Sequence, residues 1–106
     1  MPPAKHTLIE PALLEINNAL TDNTLSVSRL AALCGMSEVY LRKIFVNRFG
    51  VSPKEYIIRR RMEYASQLLA SGQLDVCDVA LLCGYAEPCH FSREFKKRFG
   101  TPPRNF

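Results

Sequence analysis

The groups in this chain that could do covalent or metal chemistry are few. They are four cysteines (Cys34, Cys77, Cys83 and Cys89), two histidines, and Glu87 beside Cys89-His90. A nucleophile needs a base within hydrogen-bond reach and a third group to orient that base. The spacing offers no such Ser–His–Asp or Cys–His set, no Gly-rich phosphate loop and no carboxylate pair in a predicted cleft. The cysteine spacing matches neither a zinc finger nor a zinc ribbon. Cys89-His90 is the one pair resembling metal ligands, and Glu87 and His90 share a small helix with no pocket. An enzyme is therefore the weakest reading, and no metal or cofactor is expected. Cys34 and Cys83 fall on apolar positions of helical patterns, where cysteine acts as a small hydrophobe.

What remains is the chemistry of cations. Lys+Arg number 14 against 10 Asp+Glu, for a formal net charge of +4 at pH 7. An excess of this size suits a polyanion without requiring one, so the placement of the charges matters more than their sum.

Placement is set by an internal repeat. Leu25-Ser26-Val27 recurs as Leu74-Asp75-Val76, Ala31 as Ala80, and Leu33-Cys34-Gly35 as Leu82-Cys83-Gly84. Glu38 matches Glu87, and one extra residue then enters the second copy. Beyond it Phe45 matches Phe95, Arg48-Phe49-Gly50 matches Arg98-Phe99-Gly100, and Pro53 matches Pro103. Tyr56 and Phe106 follow those prolines at the same distance.

Each copy reads as helix, tight turn, helix. In the first, Ser26 caps a helix with the apolar stripe Val27, Leu30, Ala31 and Leu33, and Gly35 supplies the positive φ that ends it. Ser37 caps the next helix, whose buried face is predicted as Tyr40, Leu41, Ile44, Phe45 and Phe49, up to Gly50. In the second copy Asp75 is the cap, Val76, Val79, Ala80 and Leu82 form the stripe, and Gly84 ends it. The following helix opens near Glu87-Pro88, buries Phe91, Phe95 and Phe99, and stops at Gly100. A short helix, a Gly-containing turn and a second amphipathic helix form the helix-turn-helix pattern of DNA-binding proteins. A helical hairpin that only packs has the same pattern. Two copies, each with cations on the exposed face of the second helix, favour a nucleic-acid partner.

Between the copies, Ser52-Pro53-Lys54-Glu55 is a capping box with proline at the first helical position. It predicts a helix through Ile57, Ile58, Met62, Ala65, Leu68 and Leu69 to Ser71, stopped by Gly72. Such a helix would span roughly 28 Å at ~1.5 Å per residue, against about 34 Å for one turn of DNA. An amphipathic pattern, Leu8-Ile9, Ala12-Leu13, Ile16 and Leu20, predicts a further helix packed on the first unit. The fold class is thus all-α: two helix-turn-helix lobes, homeodomain-like, joined by a long linker helix. The divisions are residues 8–51, 52–71 and 72–106. No apolar run reaches the ~20 residues of a membrane span, and Met1–Lys5 lacks a signal peptide's apolar core. A cytoplasmic location is the expectation.

These residues resemble the AraC/XylS-type DNA-binding domain over about Leu8 to Phe106. The most specific stretch is Ala80-Leu81-Leu82-Cys83-Gly84-Tyr85, then His90-Phe91-Ser92-Arg93-Glu94-Phe95-Lys96-Lys97-Arg98-Phe99-Gly100, then Pro103. Arg61-Met62-Glu63-Tyr64-Ala65 with Leu68-Leu69 looks like the family's linker helix. The resemblance implies about seven helices and two recognition helices in successive major-groove segments of one double-stranded DNA. It implies a transcription regulator, most often an activator, with RNA polymerase among its partners. Many members carry a separate effector-binding or dimerisation domain, for which this chain has no room. The chain stops where the family's last short helix would begin, so the DNA-binding part of a longer regulator is favoured over a stand-alone one. The competing class is a helical protein-interaction module with basic faces, which would ignore duplex DNA even at low salt.

By family position the base-contacting residues are Val39, Arg42 and Lys43 in the first unit and Cys89, Ser92 and Arg93 in the second, with Arg93 the strongest. Arginine or lysine donates to guanine O6 and N7, and valine can touch a thymine methyl. Pro88 and Cys89 depart from the polar residues common in the family, so the second unit is expected to read fewer bases and to grip phosphate more. Phosphate contacts are expected from Arg29, Ser37, Arg48, Lys54, Lys96, Lys97 and Arg98, and at the helix start near Asp75-Val76. His90 is expected to be structural or phosphate-facing. Arg59-Arg60-Arg61 point three ways around a helix, so they cannot all face DNA. Arg61 is expected to pair with an acid such as Asp78 or Glu63.

Overall fold

The computed structural model describes residues 8–106. Met1–Lys5, read above for a signal peptide, lies outside the described residues. The described residues contain helices and no strand. The helices are α1 (Glu10–Asn18), α2 (Val27–Leu33), α3 (Glu38–Phe49), α4 (Pro53–Ala70), α5 (Val76–Leu82) and α6 (Pro88–Phe99), followed by a short 3-10 helix at Pro103–Asn105. The chain divides into two compact units. One takes the residues up to Leu20 and Leu25–Ile58; the other takes Thr21–Thr24 and Arg59–Phe106.

The local signals act as the sequence predicts. The Ser26 hydroxyl accepts from the Arg29 N–H at 3.1 Å, and Asp75 accepts from the Asp78 N–H at 2.8 Å. Ser37 accepts from the Tyr40 N–H at 3.1 Å, and Ser52 from the Glu55 N–H at 3.2 Å. Each bond satisfies a donor that a helix start leaves without a partner. Both helix-turn-helix turns are Schellman closures. Met36 N–H reaches the Ala31 carbonyl and Tyr85 N–H the Ala80 carbonyl, both at 3.0 Å. The glycines between take φ of +65° at Gly35 and +82° at Gly84, which a Cβ would disfavour.

The first unit's core is Ile9, Ala12 and Ile16 of the N-terminal region, Leu30 and Ala31 of α2, Leu41, Ile44 and Phe45 of α3, and Ile57. The second unit buries Met62, Ala65, Val79, Ala80, Cys83, Phe91 and Phe95. The repeat is visible as an aromatic trio in each. Phe45 meets Phe49 at 5.3 Å and the edge of Tyr56 at 5.5 Å. Phe95 meets Phe99 at 4.4 Å and the edge of Phe106 at 5.1 Å. Tilted and edge-on rings favour their quadrupoles, at about 0.5–1.5 kcal/mol per pair beyond area burial.

Four residues assigned to buried faces are exposed: Leu33 (48%), Tyr40 (39%), Leu82 (39%) and Phe99 (38%). Leu33 and Leu82 are the last residues of seven-residue helices, at the margin of the stripe and about 160° around the helix from the buried Ala31 and Ala80. Tyr40 stands one position, about 100°, from Leu41, so it lies at the edge of the stripe. Phe99, at the last position of its helix, meets Phe95 at 4.4 Å and Phe106 at 5.5 Å and still stays 38% exposed. Helix α1 is also shorter than the pattern Leu8–Leu20 suggests, since Ala19 already departs from helical backbone.

Candidate nucleic-acid interface

The buried stripe of each second helix fixes its exposed stripe. In α3, Leu41, Ile44 and Phe45 face inward, so Val39, Arg42, Lys43, Val46 and Asn47 line the opposite side and are all exposed. In α6, Phe91 and Phe95 face inward, and Cys89, Arg93, Lys96 and Lys97 are exposed with Ser92 half-buried among them. The three-four spacing makes each set one continuous face. Each expected base-contacting set therefore sits together at the N-terminal half of its own helix. Val39, 59% exposed at the helix start, is an apolar group held in water, as a contact to a thymine methyl would need.

Tyr40, predicted above as buried, and Asn47, given no role above, border the same side of α3. Both are exposed, and both fit the stripe once the inward arc is known to be narrow. Val46 and Asn47 occupy the positions of Lys96 and Lys97, so the cationic second half of the face belongs to α6 alone.

The phosphate candidates differ in how they are held. Arg48, Lys54, Lys96 and Lys97 are exposed, and the Arg48 guanidinium lies 5.1 Å from the Phe49 ring centre. Ser37 uses its oxygen as the cap of α3, which leaves its hydroxyl hydrogen to donate. Arg29 is half-buried with Nη2 3.4 Å from Glu15. Arg98 is half-buried and donates from Nε to Glu94 at 2.8 Å. These two guanidiniums are oriented by acids of their own unit.

Arg61 answers the question left by the arginine run. Arg59 is exposed, Arg60 lies 3.9 Å from Glu63, and Arg61 donates from Nη2 to the Asp22 carbonyl at 2.8 Å. Beside this backbone bond Asp22 also acts on Arg61 through its charge; the acids expected from the sequence were Asp78 and Glu63. Burial lowers the Arg61 pKa, with Tyr85, Cys83 and Asp22 acting the other way. Burial also pushes the Cys83 thiol up to about 11, opposed by Arg61. It pushes the Tyr85 phenol up to about 12, with Glu94 adding to the shift and Arg61 and Arg98 opposing it. Cys34 is raised by burial, with a backbone bond at Ala12 opposing.

Among the described residues one group could approach a metal. The ligand atoms of Glu87, Cys89 and His90 lie within 4.8 Å of one another, all exposed. The Cys89 thiol donates to Glu87 Oε2 at 3.7 Å. They surround the N-terminus of α6, whose positive end opposes a cation, and among the described residues no fourth protein ligand joins them.

A family model described as a helix-turn-helix domain matches residues 13–106. The HTH-type transcriptional regulator GbdR of Pseudomonas aeruginosa is 32% identical over 97% of this chain and 29% of its own length. The virulence regulon transcriptional activator VirF of Yersinia enterocolitica is 32% identical over 73% of this chain and 28% of its own. The chain thus spans less than a third of either relative. Among solved structures, the DNA-binding domain of the transcriptional factor AdpA in complex with a target DNA superposes with a TM-score of 0.84. It is 26% identical, with 92% of this chain and 86% of that one covered. These likenesses are to regulators and do not favour the protein-interaction module. No helix among the described residues is long and apolar enough to cross a membrane.

Proposed function

Since the chain belongs to the AraC-type helix-turn-helix family of DNA-binding transcription regulators, we propose that each unit inserts its second helix into its own segment of the major groove. The observation that carries this is the matched exposed face on α3 and α6, set opposite matched buried stripes. In α3, Val39, Arg42 and Lys43 read base edges. In α6, Arg93 reads a base, Ser92 and Cys89 assist, and Lys96 and Lys97 hold phosphate. Arg29, Ser37, Arg48, Lys54 and Arg98 complete the phosphate grip. The family is one of regulators rather than enzymes, and none of these contacts needs a cofactor.

GbdR and VirF are each more than three times the length of the part that matches. We therefore read the chain as the DNA-binding part of a longer, effector-responsive regulator acting in the cytoplasm. VirF is named an activator; by that likeness this regulator is proposed to activate, with RNA polymerase as the second partner.

The test is selection of the purified chain on a randomised duplex library at moderate salt, followed by sequencing. Two enriched blocks are expected, because two faces read. One block alone would leave a single reading unit and a phosphate clamp. No enrichment, with affinity that disappears as salt rises, would leave only non-specific charge binding.

A further inference from the structure

The second unit contains a contact with no counterpart among the described residues of the first. The Arg61 guanidinium, midway along α4, lies directly against Gly84. A Cβ built there would stand 2.7 Å from Nη2, 2.8 Å from Cζ and 2.9 Å from Nε. The same group donates to the Asp22 carbonyl at 2.8 Å and lies 6.0 Å from the Tyr85 ring centre. That ring in turn meets Phe91 edge-on at 5.5 Å. Phe91 is fully buried in the first turns of α6, with Cys89, Ser92 and Arg93 on either side of it in sequence. In the first unit Met36 stands in place of Tyr85, and among the described residues nothing lies within 4 Å of a Cβ built on Gly35.

We propose that Arg61 is a positioning residue for the second recognition helix. Resting on the reading of α6 given above, it fixes where Arg93 meets its base while touching no DNA itself. The planar guanidinium can fill the slot against Gly84, face Tyr85 and bond Asp22 at once. A lysine keeps the charge and can donate from its ammonium, but has no plane to fill the slot. Glycine at position 84 is required twice, by its φ of +82° and by the guanidinium against it.

The test compares Arg61→Lys, Arg61→Met and Gly84→Ala in the purified chain, well below each variant's melting temperature. Binding is measured on the selected duplex, on duplexes scrambled in one block or the other, and on random duplex at low salt. The block read by α6 is the one at which Arg93→Ala loses discrimination. Both Arg61 variants are expected to lose about tenfold discrimination at that block, with the other block and random-duplex affinity unchanged. Arg93→Ala should add little in the Arg61→Met background. Gly84→Ala should reproduce the loss, and should cost less stability in the Arg61→Met background, where no guanidinium opposes the new methyl. A lowered melting temperature with discrimination intact would make Arg61 merely structural and overturn the proposal. A uniform loss on all duplexes, with the salt slope reduced by about one, would make it a phosphate contact and also overturn it. If Arg93→Ala is silent in the unaltered protein, the reading of α6 falls, and the role of Arg61 in specificity falls with it. If Arg93→Ala is costly and Arg61→Met is silent, only the present proposal falls.

Discussion

The two helix-turn-helix units share a scaffold and differ in what surrounds it. Both close their turn with a Schellman bond of 3.0 Å over a glycine of positive φ. Both stack a trio of rings under the end of the second helix. The differences begin at the start of that helix. Ser37 caps α3 through its side chain, whereas Glu87 makes no side-chain cap bond to α6. The turn before α3 runs from Cys34 to Ser37 and the turn before α6 from Cys83 to Glu87, so the extra residue of the second copy lies in the turn and Glu87 corresponds to Ser37, not to Glu38 as the sequence match suggests. Ile44, buried in α3, becomes Glu94, half-buried and bonded to Arg98, in α6. The first unit adds α1, packed on α2; the second adds Arg61 against its turn. The duplicated residues are thus those that fold the unit, and the ones that diverge stand where DNA would be read or where the turn is braced.

If the shared part is scaffold, equal damage to it should cost equal stability. Phe45→Ala and Phe95→Ala each empty a fully buried site and should each cost about 3–5 kcal/mol. Urea unfolding measures this, with the milder Phe→Leu pair as the check if either alanine variant fails to fold. A twofold gap between the matched variants would show that the two cores are not equivalent.

Damage to the reading faces should instead separate the units. Arg93→Ala should cost about 1–3 kcal/mol and relax specificity at one position. Arg42→Ala and Lys43→Ala should do the same at the other block. Lys97→Ala should weaken all sequences alike and reduce the salt slope by about 0.9. The face of α6 carries Lys96 and Lys97 where α3 has Val46 and Asn47, so random-duplex affinity should depend more on the second unit. Equal losses from cations of both helices on random DNA would erase that difference.

Alkaline pH offers a third separation. The unfolded thiol ionises near 9.0 and the unfolded phenol near 10.0, while the folded Cys83 and Tyr85 hold their protons to about 11 and about 12. Folding therefore takes up protons in this range. The stability due to these groups is complete below pH 9 and is lost as pH rises through 11 and 12. The first unit has Met36 in place of Tyr85, and its Cys34 is also raised by burial. Unit-specific NMR signals followed from pH 8 to 11.5 should show the second unit losing stability sooner, and Tyr85→Phe should remove part of that loss. Equal sensitivity in both units would contradict the assignment.

Much of this was legible in the sequence because a repeat states each signal twice. Glycines, caps and the ring positions Phe45, Phe49 and Tyr56 align with Phe95, Phe99 and Phe106, and periodicity alone placed the faces of α3 and α6. What stayed hidden is of two kinds. Residues at the edge of a stripe, such as Tyr40 and Leu82, have their exposure set by packing around a short helix rather than by spacing. For Arg61 the sequence suggests Asp78 or Glu63. Its Nη2 donates to the Asp22 carbonyl, 39 residues away in sequence, and no pattern in composition marks a backbone carbonyl. Gly84 did carry a signal, but as a helix stop; that it also makes room for a guanidinium shows only in three dimensions.

The smallest expected effect bears on the helix starts. Ser37→Ala removes the oxygen that accepts from the Tyr40 N–H and should cost about 1 kcal/mol of stability. Glu87→Ala removes no such bond, and its stability should change by less than about 0.5 kcal/mol. Glu87→Ser would supply the missing oxygen and should stabilise the second unit by a fraction of the Ser37 value. The carboxylate adds a complication, since a negative charge at a helix N-terminus is itself favourable by about 0.3–1 kcal/mol at low salt. Unfolding in low and high salt separates the two contributions, because screening removes the charge effect and spares the hydrogen bond. A gain from Glu87→Ser that appears only at high salt would mean that α6 is held at its start by charge, where α3 is held by a cap.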